Sequence, residues 1–324
     1  MSHGYPRLLG DVGGTNARWA WQPKAGVPPQ DIFVTPCATS ASLYDSAANY
    51  LTVHDLPPPR CAGIGVATAI GGDRVHMTNN AWSFSISEFK KALGLERCLV
   101  INDFTALALS LPALGASDLR AIGTGGAAMA GAPMALLGPG TGLGVSGLLP
   151  TDSGEWAALS GEGGHVTLAA ANDYEAALLG FMRSRLGHVS AERVLSGPGL
   201  VNLYQAICDL NGQLAQELRP ADVTSAAITG ADRACVQTVG LFAGFLGAVA
   251  GNLALTLGSR GGVYIGGGIV PQLGGAFDSG AFRQRFEDKG RFADYLRAIP
   301  TWLITAPTPA LLGVARALDA LKSP

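Results

Sequence analysis

Short apolar runs alternate with longer segments of helical periodicity along the chain, a pattern typical of α/β proteins. Strands are predicted at residues 7–21, where two of them enclose a glycine loop, at Gly63–Ala67 and at Leu99–Ile101. Helices are predicted at Ser42–Leu51, at Ser87–Leu93, at Phe104–Leu111 and from a cap at Asn172 to Leu186, with glycine or proline closing the last three. The pattern therefore predicts an α/β fold.

The first glycine loop lies in the segment LGDVGGTNAR, where one acid precedes paired glycines and a threonine. Gly13 and Gly14 leave no Cβ in the way of a ligand, so backbone N–H groups and the Thr15 hydroxyl can point at phosphate oxygens. An acid beside a phosphate cradle needs a cation between them, which makes Asp11 a candidate for holding Mg²⁺ directly or through water. A plain hairpin turn is the alternative, and this segment alone leaves both open.

A second segment, LLGPGTGLGVSG at residues 136–147, repeats the order of apolar strand, glycine-dense turn, threonine and apolar strand. Its spacing fits neither a Walker loop nor the dinucleotide fingerprint, which argues against a nicotinamide oxidoreductase. A third run, Gly266–Gly268, closes another strand-like segment. The two similar loops suggest a duplicated fold with one nucleotide held between its halves.

Composition narrows the class of protein further. The 324 residues allow about two domains, and 48% hydrophobic against 14% charged residues indicates large buried cores. A net charge of −2 supplies no general field for nucleic acid or an anionic membrane, so we expect neither as a partner. Five scattered cysteines without C-x-x-C spacing suggest neither zinc nor a disulfide framework. With no signal segment recognised at the start, we expect a cytoplasmic protein.

One apolar stretch has the length of either a buried helix or a membrane span. Residues 234–259 carry no charge and place small residues at the spacing of packed membrane helices. Gln237 and Asn252 interrupt the stretch, and the sequence offers no second candidate span. We therefore expect a helix buried between other elements.

Polar residues near predicted strand ends and loops supply the candidate chemistry. Asn102 and Asp103 follow the strand Leu99–Ile101, where ligands of α/β sheets bind, although a helix cap also explains Asp103. Glu162 and His165 stand three apart in a glycine-rich loop where both could bond hydroxyls of one polyol, although a single histidine is usually structural. Glu192 has the simpler explanation of a charged helix start.

Longer blocks follow one another along nearly the whole chain. They are LGDVGGTNAR at 9–18, INDFTA at 101–106, GTGLGV at 140–145, GEGGHV at 161–166, GHVSAERVLSGPGL at 187–200, GNLAL at 251–255, GGGIVP at 266–271 and FEDKGRF at 286–292. Together they resemble the bacterial glucokinase family, part of the actin-like and hexokinase-like ATPase superfamily. The resemblance implies two ribonuclease H-like α/β domains flanking a deep cleft, a smaller one at 1–111 and 303–324 and a larger one at 112–302. It also implies that a helix at about Ala310–Lys322 returns to the N-terminal domain.

The resemblance assigns roles at the matching positions. Asp103 corresponds to the family's catalytic base, and Asp11 is the expected anchor of Mg²⁺. The corresponding sugar ligands are Asn102, Asp103, Glu162, His165 and Glu192, and the corresponding nucleotide positions are Gly10, Asp11, Val12, Gly13, Gly14, Thr15, Asn16, Gly140, Thr141, Gly142, Gly267 and Gly268. The implied reaction transfers the γ-phosphoryl group of ATP to the 6-hydroxyl of D-glucose, with Mg²⁺, in a homodimer.

Two positions depart from the family pattern. Ala69 stands where proline is usual, so the resemblance does not fix the shape of the 68–73 loop near the sugar. Ala310 stands where glycine is frequent, and alanine suits a helix start.

The alternative function is a non-catalytic sugar sensor on the same fold. Such a sensor would lack the base or carry a DNA-binding segment, whereas Asp103 is present and we expect no basic helix-turn-helix before residue 7. The cysteine-rich zinc pattern of the related repressor–kinase family is also missing from the sequence.

Overall fold

A computed structural model of the chain describes residues 4–321, and contacts divide the chain into two compact units. Unit 1 consists of Met1–Gly115 with Ala306–Pro324, and unit 2 of Ala116–Thr305. The domain limits expected from the sequence, 1–111 with 303–324 and 112–302, stay a prediction about the folding units of the chain.

The strands and helices of the described residues have the following bounds. The strands are β1 (Arg7–Val12), β2 (Asn16–Gln22), β3 (Gln30–Pro36), β4 (Cys61–Val66), β5 (Arg74–His76), β6 (Ser83–Ser85), β7 (Arg97–Asn102), β8 (Leu119–Ala121), β9 (Met134–Pro139), β10 (Leu143–Pro150), β11 (Trp156–Ser160), β12 (Val263–Ile265) and β13 (Thr301–Ile304). The helices are α1 (Leu43–Val53), α2 (Ile86–Ala92), α3 (Asp103–Ser110), α4 (Asp173–Leu186), α5 (Gly197–Leu210), α6 (Pro220–Thr229), α7 (Arg233–Leu257), α8 (Ile269–Leu273), α9 (Ser279–Glu287), α10 (Ala293–Arg297) and α11 (Pro309–Ala320).

The main sheet of unit 1 has the strand order β3-β2-β1-β4-β7. Strand β1 pairs antiparallel with β2 and parallel with β4, which in turn pairs parallel with β7. In this register Asp11 lies beside Gly65, and Gly65 lies beside Ile101. Because parallel strands end at the same edge, the chain segments that follow β1, β4 and β7 meet there.

The main sheet of unit 2 repeats this arrangement with the order β11-β10-β9-β12-β13 and one added strand, β8, at its edge. Strand β9 pairs antiparallel with β10 and parallel with β12, as β1 pairs with β2 and β4. The duplication expected from the two glycine loops is therefore confirmed. The loops differ by one residue, since residues 13–16 separate the last pair of the first hairpin and residues 140–142 that of the second.

Alternate residues of β1 serve two different cores in unit 1. Leu8 packs with Trp19 and Tyr50 on one face, whereas Leu9 packs with Leu311 and other residues of α11 on the opposite face. Helix α11 also contacts α3 and β4. The expected return of the last helix to the N-terminal part of the chain is thus confirmed, and Lys322, where the predicted helix ended, lies outside the described residues.

The long apolar helix α7 lies in the core of unit 2. It is the one helix within residues 4–321 whose length and composition would suit a membrane, and 72% of its most apolar window is buried inside the protein. Added Cβ atoms at Gly247 and Gly251 would come 2.1 and 2.5 Å from the carbonyl oxygens of Phe282 and Phe286. The small residues therefore serve close packing against α9, which confirms the predicted buried helix.

Gly313 in α11 offers a direct test of this packing. An added Cβ would lie 1.6 Å from the Ala106 carbonyl oxygen, so Gly313→Ala should push α11 away from α3 and lower the free energy of unfolding by about 2 kcal/mol or more. Gly180→Ala in α4 is the matched control, because its Cβ meets nothing within 4 Å. The control should raise the stability by about 0.5–1 kcal/mol in urea unfolding. Equal effects of the two changes would contradict this packing.

Candidate active site

The β1–β2 loop of unit 1 presents backbone donors. The Gly13 N–H donates to the Asn16 carbonyl at 2.9 Å, which closes the turn. Within residues 4–321, the N–H groups of Gly14 and Thr15 have no hydrogen-bond partner, and the Thr15 side chain is exposed. An added Cβ at Gly14 would lie 2.6 Å from the Asn79 Cβ, so only glycine fits there. The loop thus has the free donors that a phosphate needs.

Of the residues predicted to bind nucleotide, Gly10, Asp11 and Val12 lie in β1 and Asn16 begins β2, so none of these four lies in the loop itself. An added Cβ at Gly10 would come 2.7 Å from Cζ3 of Trp19, its cross-strand partner, which explains the glycine by packing. The Val12 side chain is fully buried. A role of Gly10 and Val12 in binding stays a prediction and could involve their backbone alone.

Asp11 is paired across the hairpin with Arg18. The two residues are opposite in the β1–β2 register, and Arg18 Nη1 donates to Asp11 Oδ2 at 3.1 Å. Burial raises the pKa of Asp11, whereas the Arg18 guanidinium acts in the opposite direction. No role was predicted for Arg18, although two strands joined by a short glycine loop, as predicted at 7–21, bring residues on either side of the loop together.

Asn102, not Asp103, is the N-cap of α3. Asn102 Oδ1 accepts hydrogen bonds from the N–H groups of Phe104 and Thr105 at 2.9 and 3.1 Å. Asp103 is the first residue of the helix, and its Oδ1 accepts from the Phe104 N–H at 2.9 Å and from Asn102 Nδ2 at 3.0 Å. The helix-cap explanation of Asp103 is therefore wrong, since its neighbour fills that position.

The carboxyl of Asp103 titrates far from its ordinary range. Burial is the main cause and the nearby charge of Asp11 the second, and together they raise the pKa of Asp103 to about 7 against the opposing hydrogen bonds. An aspartate with its ordinary pKa of about 3.9 would be only a weak base. The structure instead provides a group whose pKa lies close to neutral pH, where a general base works best.

The β9–β10 loop is the corresponding turn in unit 2. The Gly140 N–H donates to the Gly142 carbonyl at 2.8 Å, and the Gly140 carbonyl accepts from the Gly197 N–H at the start of α5, also at 2.8 Å. Thr141 is exposed at the tip, and a Cβ at Gly140 would meet nothing within 4 Å. The Gly197 N–H therefore anchors the base of this loop, whereas its tip at Thr141 is exposed to solvent.

Glu192 lies directly against that loop. Its Oε2 accepts the Leu143 N–H at 2.9 Å, and an added Cβ at Gly142 would approach this oxygen to 2.5 Å. Glu192 belongs to a short 3-10 turn, Ala191–Arg193, rather than to the start of an α-helix. The explanation of Glu192 as a charged helix start is thus replaced by a specific contact.

Glu162 and His165 lie in the segment after β11, and this segment packs against the start of β10 at Leu143. The His165 N–H donates to the Glu162 carbonyl at 3.0 Å, and both side chains are exposed. A Cβ at Gly164 would come 2.1 Å from the Leu143 carbonyl oxygen, so glycine is required for this contact. The Leu143 N–H therefore donates to Glu192, and the backbone of the Glu162–His165 segment packs against the Leu143 carbonyl.

Gly267 lies on the other side of the same hairpin. It has a φ of +76°, and an added Cβ would come 2.3 Å from the Pro139 carbonyl oxygen just before the β9–β10 loop. Gly268 follows as the N-cap of α8. All predicted site residues of unit 2 thus surround one hairpin, and those of unit 1 lie on or beside the β1–β2 hairpin and the end of β7.

The expected Mg²⁺ requires oxygen ligands from carboxylate side chains near the β1–β2 loop. Residues 4–321 contain no group of three or more His, Cys, Asp or Glu side chains that could hold a metal ion. Mg²⁺ is usually held by one or two carboxylates together with substrate phosphates and water, so it needs no such group. Asp11, a carboxylate beside the β1–β2 loop and close enough to Asp103 to raise its pKa, fits that kind of anchor.

The duplicated hairpins, each with a glycine loop, and the half-buried acid at a strand end are those of a hexokinase-like sugar kinase. A glucokinase structure from an Antarctic psychrotroph superposes with a TM-score of 0.87 at 38% identity, covering 97% of this chain and 98% of that one. A glucokinase of Balamuthia mandrillaris in complex with glucose, 22% identical, shares the fold with a TM-score of 0.77 over 96% of this chain and 92% of that one.

Sequence relatives narrow the class to one family. The family model described as Glucokinase matches residues 8–321. A glucokinase of Aromatoleum aromaticum is 52% identical over 97% of this chain and 95% of its own length. The chain belongs to the glucokinase family and is an ATP-dependent glucose kinase. The expected resemblance, fold class and function are confirmed, and the alternative of a sugar sensor has no support.

The contact between Gly142 and Glu192 can be tested by adding one methyl group. Gly142→Ala should displace the Glu192 carboxylate, because the new Cβ would lie 2.5 Å from Oε2, and should raise KM for glucose about tenfold. The control is Gly275→Ala, an exposed position of unit 2 whose Cβ meets nothing within 4 Å. Steady-state kinetics measure both variants. A KM for glucose that is the same in both would show that Glu192 is not held for the sugar.

Proposed function

We propose that Asp103 is the general base that activates the 6-hydroxyl of D-glucose for attack on the γ-phosphoryl group of Mg-ATP. The observation that carries this proposal is a half-buried carboxyl at the end of β7 with a pKa raised to about 7. Asp103 Oδ1 is used by two donors, and Oδ2 has no partner within residues 4–321. Oδ2 is therefore the atom that would accept the hydroxyl proton.

The timing of the proton transfer suits such a base. Phosphoryl transfer has a loose transition state, so the hydroxyl becomes strongly acidic only as its oxygen bonds to phosphorus. Asp103 first orients the hydroxyl by accepting its hydrogen bond and takes the proton late. A pKa near neutral pH lets Asp103 hold that proton and release it afterwards to water.

The sugar hydroxyls would be recognised by Asn102, Glu162, His165 and Glu192. Glu192 Oε2 accepts from the Leu143 N–H, which leaves Glu192 Oε1 for the sugar. Asn102 Oδ1 caps α3, and Asn102 Nδ2 donates to Asp103 Oδ1 and to the Thr68 carbonyl, so a sugar hydroxyl would share or replace one of these bonds. A hexose with one hydroxyl misplaced leaves such groups unpaired, which costs up to ~10⁴-fold in specificity.

The nucleotide phosphates would bind the free N–H groups of the β1–β2 loop and the Gly140–Gly142 loop, with Gly267 and Gly268 on the nucleoside side. Asp11 would hold Mg²⁺, which when bound neutralises the charge of the phosphates. Arg18 limits the cost of keeping Asp11 ionised in the absence of that cation.

Membership of the glucokinase family also supports a homodimer, a cytoplasmic location and a place at the entry to glycolysis. Light scattering after size-exclusion chromatography distinguishes a dimer from a monomer of this chain.

The proposed base is tested by coupled measurement of ADP release with a panel of hexoses. The wild-type protein should release ADP with glucose and little with its epimers. Asp103→Asn should lower kcat about 10²–10⁴-fold, the usual contribution of a general base, and keep its affinity for glucose. Asp209→Asn, at an exposed position on α5, is the control. Near-normal turnover of Asp103→Asn would rule out the assignment, and glucose binding without ADP release by the wild type would favour a sensor.

The pH profile tests the electrostatics of the two acids. Because only ionised Asp103 can accept a proton, kcat/KM for ATP at saturating glucose should fall as the pH drops through about 7. Asp11→Asn removes the charge that raises the pKa of Asp103, so this acid limb should move to lower pH. The same variant should need more Mg²⁺ for half-maximal activity. An acid limb and a Mg²⁺ titration that both stay unchanged would contradict the two roles given to Asp11.

A further inference from the structure

We propose that Asn80 is a positioning residue for the ATP phosphates, acting through the backbone of the β1–β2 loop. The proposal rests on the proposed function of that loop. Asn80 Nδ2 donates to the Gly13 carbonyl at 3.2 Å, and Asn80 Oδ1 accepts the Trp82 N–H at 2.8 Å. One side chain thus joins the loop to the segment between β5 and β6.

The orientation of the Asn80 amide is determined by its surroundings. The Trp82 N–H needs an acceptor, which places Oδ1 on that side and leaves Nδ2 to face the Gly13 carbonyl. Trp82 is itself fixed, because it is 6% exposed and its Nε1 donates to the Ser40 carbonyl at 3.2 Å. Asn80 therefore presents its donor from a rigid support.

The effect on the loop follows from the planarity of the peptide bond. In a trans peptide the carbonyl of one residue and the N–H of the next point in opposite directions. Holding the Gly13 carbonyl toward Asn80 therefore turns the Gly14 N–H away from Asn80. Within residues 4–321 that N–H has no partner, so it is left as a fixed donor for a phosphate oxygen.

The backbone N–H of Cys37 fixes a second peptide group of the β1–β2 loop in the same manner. The Cys37 N–H donates to the Thr15 carbonyl at 2.7 Å, which turns the following N–H, that of Asn16, the other way. Cys37 Sγ lies 3.6 Å from the Gly13 carbonyl oxygen, which therefore accepts hydrogen bonds from both Cys37 Sγ and Asn80 Nδ2. Asn80 is the contact of this set that a side-chain substitution can remove with little change of shape.

Two substitutions separate this role from a purely structural one. Asn80→Asp keeps the shape and the acceptor for the Trp82 N–H but loses the donor to Gly13. Asn80→Ala loses both bonds and adds no charge. Ser83→Ala, at an exposed position of β6 without a side-chain hydrogen bond in the described residues, is the control.

Calorimetric binding of AMPPNP and of AMP, both with Mg²⁺, gives the decisive comparison. In Asn80→Asp and Asn80→Ala the affinity for AMPPNP should fall about tenfold or more, because one charge-assisted bond to phosphate is misaligned. The affinity for AMP should stay within about twofold, because we assign the Gly14 donor to the outer phosphates, which AMP lacks. KM for ATP should rise in parallel, KM for glucose should not, and Ser83→Ala should match the wild type in every measurement.

Three results would overturn the proposal. An unchanged AMPPNP affinity in Asn80→Ala would overturn the proposal even if Asn80→Asp binds more weakly. An effect seen only in Asn80→Asp would come from repulsion between the new aspartate and the phosphates. Equal losses for AMP and AMPPNP, with a lower Tm, indicate a structural role only. The binding comparison needs no turnover, so absence of ADP release by the wild type would reject the proposed function and leave the test of Asn80 intact.

Discussion

Loss of solvation at one carboxyl, beside a second carboxylate at the same edge of a sheet, sets the electrostatics of the candidate active site. Asp11 lies one residue before the end of β1 and Asp103 follows β7, and the parallel order β1-β4-β7 brings both to the same edge. Arg18 compensates the charge of Asp11 alone. Burial, and next the charge of Asp11, raises the pKa of Asp103 to about 7, whereas Asp11 keeps a cationic partner. This difference between the two acids supports the separate roles that we propose for them, one as proton acceptor and the other as cation ligand.

The same backbone arrangement is used twice with different chemistry. Both units place a β-hairpin with a glycine loop beside a parallel strand. The hairpin of unit 2 has no acid before its loop, and Glu192 contacts it instead from a turn 49 residues further along the chain. Duplication thus accounts for two hairpins with glycine loops, and differences in the surrounding segments account for the separate roles that we propose for them in binding sugar and cation.

Local patterns in the sequence predict much of this fold, and long-range contacts explain what they miss. The hairpins follow from apolar strands around glycine turns, and the capped helices α1 and α4 follow from their end residues. The three-residue strand β8 has no comparable pattern, because its pairing with β13 comes from far along the chain. Asn102 was predicted as a sugar ligand, but its function as the cap of α3 depends on backbone geometry. The raised pKa of Asp103 likewise comes from burial by the folded chain and from the proximity of Asp11, which no local pattern shows.

Burial and the Asp11 charge together should give Asp103 a pKa near neutral pH. Carbon-13 NMR of aspartate carboxyl groups, titrated without nucleotide, measures that pKa directly, and the Asp103→Asn variant assigns the resonance. We expect one aspartate resonance that titrates near pH 7 and is missing in the variant. A resonance of Asp103 that titrates near the ordinary value of about 3.9 would contradict it.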